Sequence, residues 1–458
     1  MTERKDIKHI FRAYDMRGIF GDDMTPGIML DIGKAMAKFM KEKGLKKAIV
    51  GADIRITSPS LMHAFISGIT AGGIPVANIG IASFGVTLFA GWKEKYDVIA
   101  YITASHLPAE WNGLKLYYME GQGFPEEDLM EIRDYYLAGE LPELDWSEVG
   151  DVTQITHSKE YEDYLASQFT MKRKMKVIVD CGNGSTSLSA KGVFNAVGID
   201  AKFIFSEADG RFPNRPSEPT PESLTELIRK VKEANVDFGV AFDGDGDRGV
   251  IVDDTGRVLS ADPVGIILGM DILSREKGLI LANVESSMAI EKVLIPEGAD
   301  VKRIKVGHTF LTLEAKKHGA ILGIERSGHM IIPEVYLFDD AMVIPLRLAQ
   351  FLSGQDRKLS ELVDKIPSYP KHTTNFDCPD NVKFDLIKYL QDKLAAGYEK
   401  VNTLDGVRLD LDNGWGLIRA SNTSPVVRVT VEADSDEDLE ELVKFFEKEY
   451  TDALRKIS

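Results

Sequence analysis

The sequence predicts an α/β fold of several domains: three consecutive similar α/β domains with mixed sheets, then a smaller C-terminal α+β domain, all arranged around one central cleft. Three observations lead there. At 458 residues the chain exceeds what one hydrophobic core organises. Short apolar runs end abruptly in polar, glycine-containing loops and give way to segments of helical period, which is the signature of βαβ construction. That unit occurs three times before the texture changes.

The first unit has an apolar run at 47–53, a helix from about Ser58, and a second run at 97–103. The second unit has runs at 176–180 and 237–243 around a helix, and the third has runs at 278–283 and 319–324. In each unit the later run leads straight into the most unusual loop of its region. These loops are Thr103-Ala-Ser-His-Leu-Pro108, Asp243-Gly-Asp-Gly-Asp-Arg248 and Glu325-Arg-Ser-Gly-His329. Ligands of open α/β sheets bind beyond the carboxyl ends of strands, so three such loops predict three domains facing one site. After Pro370, strand-like runs at 406–411, 415–420 and 426–432 precede a final helix from Ser435, capped as Ser-x-x-Asp. The expected domains are 1–150, 151–256, 257–370 and 371–458.

Composition narrows the function classes. With 44% apolar and 28% charged residues the chain is that of a soluble globular protein. The net charge of −17 repels polyanions, which counts against nucleic acid as a partner. A small anionic substrate stays allowed, because a few arginines in a cleft set the local potential. The best membrane candidate, around 264–273, is short and interrupted by Gly269 and Asp271, so no membrane partner is expected. The charged N-terminus has no apolar h-region, and two cysteines, Cys181 and Cys378, make no disulfide framework. The simplest expectation is a cytoplasmic enzyme. Oligomeric state leaves no readable trace.

Asp243, Asp245 and Asp247 alternate with glycines directly after an apolar run. Carboxylates this close repel one another unless a divalent cation neutralises them, and the glycines let the backbone bend around it. An EF-hand loop needs Gly and Glu where Arg248 and Asp254 stand, so that reading fails. A hard, oxygen-only donor set suits Mg²⁺; an acidic turn in solvent is the alternative. Ser105, followed by His106 and by Asn112-Gly-Leu-Lys115, presents a hydroxyl with a base or phosphate partner within reach. No Gly-x-Ser-x-Gly elbow exists, so acyl transfer is unsupported. Glu325, Ser327 and His329 suit hydrogen bonding to sugar hydroxyls. Arg419-Ala-Ser-Asn-Thr-Ser424 with Arg428 makes a phosphate cradle of hydroxyls, an amide and two cations.

Together with Phe11-Arg-Ala-Tyr-Asp-Met-Arg-Gly18, these motifs resemble, in the same order and across essentially the whole chain, the α-D-phosphohexomutase superfamily. The resemblance implies that Ser105 carries a phosphoryl group and completes a Mg²⁺ shell set by Asp243, Asp245 and Asp247. Arg17, His106 and Lys115 would surround the phosphoserine, with Lys115 as general base. Arg248 and His308 would touch the sugar, and Glu325 and Ser327 would hold ring hydroxyls common to both substrate orientations. Arg419, Ser421, Asn422, Thr423 and Arg428 would hold the phosphate that is not reacting. The implied activity interconverts a sugar 1-phosphate and 6-phosphate of mannose or glucose through a bisphosphorylated sugar, with sugar 1,6-bisphosphate as activator. Reorientation of that intermediate implies a hinge near Pro370.

The sequence departs from the family pattern at Leu107, Trp111, Ile324 and Arg326, so the sugar stays open. Glucosamine phosphate or a pentose phosphate is the alternative within the same mechanism. From other classes come a non-catalytic sugar-phosphate binder and a Mg²⁺-dependent phosphatase with Asp243 as nucleophile.

Overall fold

The structure, a computed structural model, describes residues 6–139, 144–421 and 426–457. Its first three sheets repeat one plan. In the first, Ala48–Ala52 lies between parallel neighbours Val76–Ile81 and Val98–Ile102, and Trp111–Tyr118 returns antiparallel to the latter. In the second, Lys176–Asp180 lies between Asp200–Ile204 and Phe238–Phe242, and Gly249–Asp253 returns. In the third, Leu279–Asn283 lies between Asp300–Ile304 and Leu322–Ile324, and Met330–Ile331 returns. The expected mixed sheets are present, and in each the loop closing that last hairpin is one of the three unusual loops.

The middle strand of each unit was not expected. Asp200–Ile204 and Asp300–Ile304 are edge strands carrying Asp200, Lys202, Lys302 and Arg303, so no apolar run announces them. Two short strands were not expected either. Val152–Gln154 pairs with Val76–Ile81 in the first sheet. Val258–Leu259 pairs with Gly249–Asp253 in the second. Both are very short edge strands, and Val152–Gln154 is exposed throughout, so hydrophobic patterning carries no signal there.

The N-terminal strand Met16–Ile19 adds to the free side of Trp111–Tyr118 with Arg17 opposite Gly113, which brings the opening motif to the serine loop. The last sheet is fully antiparallel, ordered Lys371–Asp377, Val426–Ala433, Gly414–Ala420, Val407–Leu411, Val401–Asn402. Helix Asp436–Ile457 packs on it through Leu442, Phe446, Tyr450 and Ala453, spaced three or four apart on one face. Phe446 reaches so close that a Cβ at Gly416 would stand 2.1 Å from its ring. The Ser-x-x-Asp cap is present: Asp438 N donates to Ser435 Oγ at 3.1 Å.

One apolar cluster runs through the first three domains, joining Ile49, Phe89, Tyr161, Val177, Phe242, Ile280 and Leu348. The C-terminal domain has its own core around Leu390, Val429 and Phe446. At its junction with the third domain a small apolar cluster of Val284, Trp415 and Leu417 is joined by Ser287 Oγ donating to Glu432 Oε1 at 2.6 Å and Arg408 Nη1 donating to Val284 O at 2.7 Å. Three domains therefore form one continuous body and the fourth is attached separately.

Candidate active site

Ser105 follows strand Val98–Ile102 and is fully buried, with φ of 52°, a left-handed conformation unusual for a residue bearing a Cβ. Thr103 Oγ1 accepts from Ser105 N at 2.8 Å and fixes the turn. The Ser105 hydroxyl donates to Asp243 Oδ2 at 2.9 Å, across the boundary between the first and second domains. It also lies 3.4 Å from Asp247 Oδ1 and 3.4 Å from His106 Nδ1. The two loops touch because residue 244 is glycine: a Cβ there would meet Ser105 O at 2.5 Å.

Asp243, Asp245 and Asp247 are buried, with carboxylate oxygens within 4.8 Å of one another. Burial, then Asp247 and Asp245, hold the Asp243 carboxyl well above its usual range. Burial and Asp247 raise Asp245 as well. Asp247 goes the other way: burial opposes ionisation, but Lys115, His329, Arg248 and His308 together outweigh it. Lys115, buried in strand Trp111–Tyr118, donates to Asp245 Oδ2 at 3.0 Å and to Asp247 Oδ2. Those aspartates lift its ammonium above the ordinary lysine range in spite of burial. One ammonium does not neutralise three buried carboxylates, and the donors are all hard oxygens, Ser105 Oγ included. The set is a metal-binding site, and its chemistry fits a small divalent cation.

His106 is held well below its usual range by burial, then by Arg248 and Arg17, so its imidazole is neutral beside the serine. Arg17 is turned by its neighbour Asp15, whose Oδ2 accepts from Nε at 2.6 Å.

The third loop meets the second through Arg248, whose Nε donates to His329 Nε2 at 3.0 Å. His329 Nδ1 stands 2.9 Å, and His308 Nδ1 3.4 Å, from the same oxygen of Asp339, and the two imidazoles stack with centroids 5.2 Å apart. Burial works to raise Asp339, but His308 and His329 outweigh it and hold the carboxyl at about 2. Glu325 is buried with both oxygens engaged: Gly307 N donates to Oε2 at 2.9 Å and Ser327 Oγ to Oε1 at 2.6 Å. Tyr14 of the opening motif sets its ring edge on His308 at 5.3 Å.

In the fourth domain Arg419 and Arg428 are cross-strand partners, which puts both side chains on one face. Arg419 donates to Asp405 Oδ2 at 2.9 Å and to Glu285 Oε1 of the third domain at 3.2 Å. Arg428 donates to Asn375 Oδ1 at 3.1 Å. Ser421 closes the strand end, its N–H donating to Val426 O at 2.8 Å and its carbonyl accepting from Lys383 Nζ at 2.6 Å. Asn422 and Thr423 lie outside the described residues. Arg428, Ser327 and Arg326 line a cavity of about 330 Å³ between the third and fourth domains. Arg326 makes no hydrogen bond or ion pair among the described residues, so its cation is free to face that space.

Comparison with known proteins places these loops in one family. The chain matches "Phosphoglucomutase/phosphomannomutase, alpha/beta/alpha domain I" over residues 8–143, domain II over 159–256, domain III over 260–369 and the C-terminal domain over 374–449. The chain belongs to the phosphoglucomutase/phosphomannomutase family. A phosphomannomutase/phosphoglucomutase of Pseudomonas aeruginosa is 34% identical over 441 residues, 95% of this chain and 94% of that protein. A probable phosphoglucosamine mutase of Methanopyrus kandleri is 33% identical over 449 residues, 97% and 98% of the two chains. A crystal structure of a phosphoglucomutase/phosphomannomutase family protein from Burkholderia thailandensis superposes with a TM-score of 0.89 at 28% identity, covering 97% of each chain. The serine, aspartate and Glu325–His329 loops come one each from the first three of these domains.

Sequence reasoning missed several side chains that hold this family site. Asp53 and Arg55 follow the first strand and brace the serine loop from beneath, Thr103 bridges to Asp245 Oδ2 at 3.1 Å, and Asp339 gathers two histidines. Polar residues immediately after a buried strand were the available signal at Asp53 and Arg55. No local pattern marks Asp339, since its partners come from two other segments.

Proposed function

We propose that this chain is a phosphohexomutase, an intramolecular phosphotransferase interconverting the 1-phosphate and 6-phosphate of mannose or glucose. The observation that carries the reading is Ser105 Oγ at 2.9 Å from Asp243 Oδ2, a buried hydroxyl set directly against an acidic metal site. A protein that only bound sugar phosphates would need no nucleophile there.

In this reading Ser105 carries the phosphoryl group, donates it to the free hydroxyl of the bound sugar phosphate, and receives the other phosphate after the bisphosphorylated sugar has turned around. Mg²⁺, held by Asp243, Asp245, Asp247 and the Ser105 oxygen, supplies charge neutralisation of the transferring group when bound. Arg17, neutral His106 and Lys115 surround the phosphoserine. Lys115 keeps its proton while it pairs with Asp245 and Asp247. Were those carboxylates given another cationic partner, the Lys115 ammonium could release its proton to solvent, and the resulting amine could then take the proton of the attacking sugar hydroxyl. Arg248 and His308 face the sugar, while Glu325 and Ser327 take ring hydroxyls. Arg419, Ser421, Asn422, Thr423 and Arg428 take the distant phosphate. A sugar 1,6-bisphosphate serves as activator by phosphorylating Ser105. No helix among the described residues is long and apolar enough to cross a membrane, and we place the activity in the cytoplasm.

A second reading, the same chemistry on glucosamine phosphate, is favoured by the Methanopyrus kandleri relative, 33% identical and bearing that name. A phosphorus NMR time course with Mg²⁺ and a trace of sugar 1,6-bisphosphate separates the two. Mannose, glucose, glucosamine and ribose 1-phosphates are run in parallel with wild type and Ser105→Ala. Conversion of the mannose or glucose ester, abolished by the substitution, is the expected result. Release of free phosphate by both proteins would move the assignment to a phosphatase.

A further inference from the structure

We infer that Arg55 is a positioning residue for phosphoryl transfer: it turns the Ser105–His106 peptide so that the His106 amide N–H flanks the phosphoryl group carried by Ser105. The inference rests on the reading of Ser105 as the phosphoserine.

Arg55 lies just beyond strand Ala48–Ala52 and is 1% exposed. A guanidinium has five N–H bonds, and every one of these has a partner. Nε donates to Asp53 Oδ2 at 3.0 Å. Nη1 donates to Pro108 O at 2.5 Å and Trp111 O at 3.2 Å, and Nη2 to Ser105 O and Leu107 O, both at 2.7 Å. Three carbonyls of one loop, and that of Trp111 where the next strand begins, therefore converge on one buried cation. Such bonds are charge-assisted, and a buried acceptor that loses its donor keeps its desolvation cost. The second domain holds the same loop from outside. Ser217 Oγ lies 2.5 Å from His106 O and 2.8 Å from Leu107 O, and the Phe212 ring covers the guanidinium at 5.1 Å.

The consequence for Ser105 follows from peptide geometry. In a trans peptide C=O and N–H point to opposite sides. With Ser105 O drawn onto Arg55, the next N–H, that of His106, is sent away from Arg55. Ser105 N–H is taken by Thr103 and Leu107 N–H by Ala104 O at 3.1 Å, whereas the His106 N–H has no acceptor among the described residues. Ser105 itself sits at φ 52°, and a strained conformation persists only where its surroundings over-determine it. A backbone N–H left without an acceptor is a donor available to an anion beside it. Arg55 is thus built into the loop as its former, and lysine, a point charge with three donors, cannot reproduce the fork.

The test compares wild type, Ser105→Ala and Arg55→Lys with the glucose phosphates as probe, and follows amide hydrogen exchange of His106 with and without the phosphoryl group on Ser105. Arg55→Lys is expected to lower kcat by about 100-fold while KM stays within about threefold, the pattern of a misplaced reacting group. Exchange at His106 is expected to slow on phosphorylation in wild type and not in the variant. A kcat loss that merely follows the unfolded fraction of Arg55→Lys would overturn the inference. Should that variant not fold, the wild-type comparison decides alone, since unchanged His106 exchange on phosphorylation also overturns it. Activity surviving in Ser105→Ala would instead sink the mutase reading, an outcome separate from either of these.

Discussion

Arg248 Nε donates to His329 Nε2 at 3.0 Å, tying the aspartate loop of the second domain to the Glu325–His329 loop of the third. The bond places the imidazole lone pair at Nε2 and the ring proton at Nδ1, 2.9 Å from Asp339 Oδ2. Asp339→Asn removes the charge that draws this proton and steadies His308. Turnover is expected to fall about tenfold or more with the fold intact, since Arg248 loses its fixed partner and a misplaced substrate-facing group costs that much. Nitrogen-15 NMR should show one His329 tautomer in wild type and a mixture in the variant. Full turnover with an unchanged spectrum would leave Asp339 without that part.

Lys115 compensates Asp245 and Asp247 in a fully buried setting. Lys115→Met leaves both carboxylates without their nearest cation, which costs roughly 3–5 kcal/mol when a buried pair is broken from one side. The urea midpoint in EDTA should drop accordingly, and added Mg²⁺ should narrow the gap to wild type. An unchanged midpoint in EDTA would contradict the pairing.

Burial, with repulsion from Asp247 and Asp245, lifts Asp243, and a cation that relieves both is expected to bind there. A cation that binds only the folded chain stabilises it by about 2.7 kcal/mol at a hundredfold excess over Kd. Mg²⁺ should therefore raise the melting temperature of wild type, and Asp243→Asn should lose most of that increment. Manganese electron paramagnetic resonance, read on the same pair of proteins, checks the loss of the site directly.

Lys371 lies at the entrance to the fourth domain, where burial and then Arg326 lower its ammonium to about 8. Its folded value is depressed, so below pH 8 both states are charged and the full penalty is present. Between pH 8 and the unfolded value near 10.5 the folded lysine is already neutral, and stability rises with pH. Lys371→Met removes this dependence. The stability difference between variant and wild type should shift in favour of wild type by about 2–3 kcal/mol as pH rises through that window. A difference independent of pH would refute the depressed value.

The fourth domain has a core separate from the other three, and the hinge expected near Pro370 is tested at the junction between them. Lys292 and Asp434 face each other across that junction at 2.7 Å. A short reversible crosslink between Lys292→Cys and Asp434→Cys should cut turnover by about tenfold or more and release it on reduction, because reorientation of the intermediate needs that domain to move. Turnover unaffected by the crosslink would rule the hinge out.

Much of the architecture was legible along the chain. The apolar runs at 47–53, 176–180 and 278–283 are strands because a strand buried on both faces needs an uninterrupted apolar stretch, and the loops after their partners are where the site forms. Edge strands such as Asp300–Ile304 were invisible for the converse reason: with one side open to solvent they tolerate Lys302 and Arg303. Arg326 illustrates another limit. Its oddity showed in the sequence, but only the structure sets it against the cavity that Arg428 also lines.

What the sequence determined by itself was the set of chemical groups and the strand ends that carry them, since apolar runs, glycines and loop motifs are local properties. What the tertiary structure decided was the partners. Ser105 meets Asp243 from 138 positions away, and Lys115 meets Asp247 from 132. Arg55 gathers carbonyls of a loop some fifty positions on. No local pattern specifies such pairs, because a charge removed from water is stable only beside whichever opposite charge or carbonyl the packed domains bring to it.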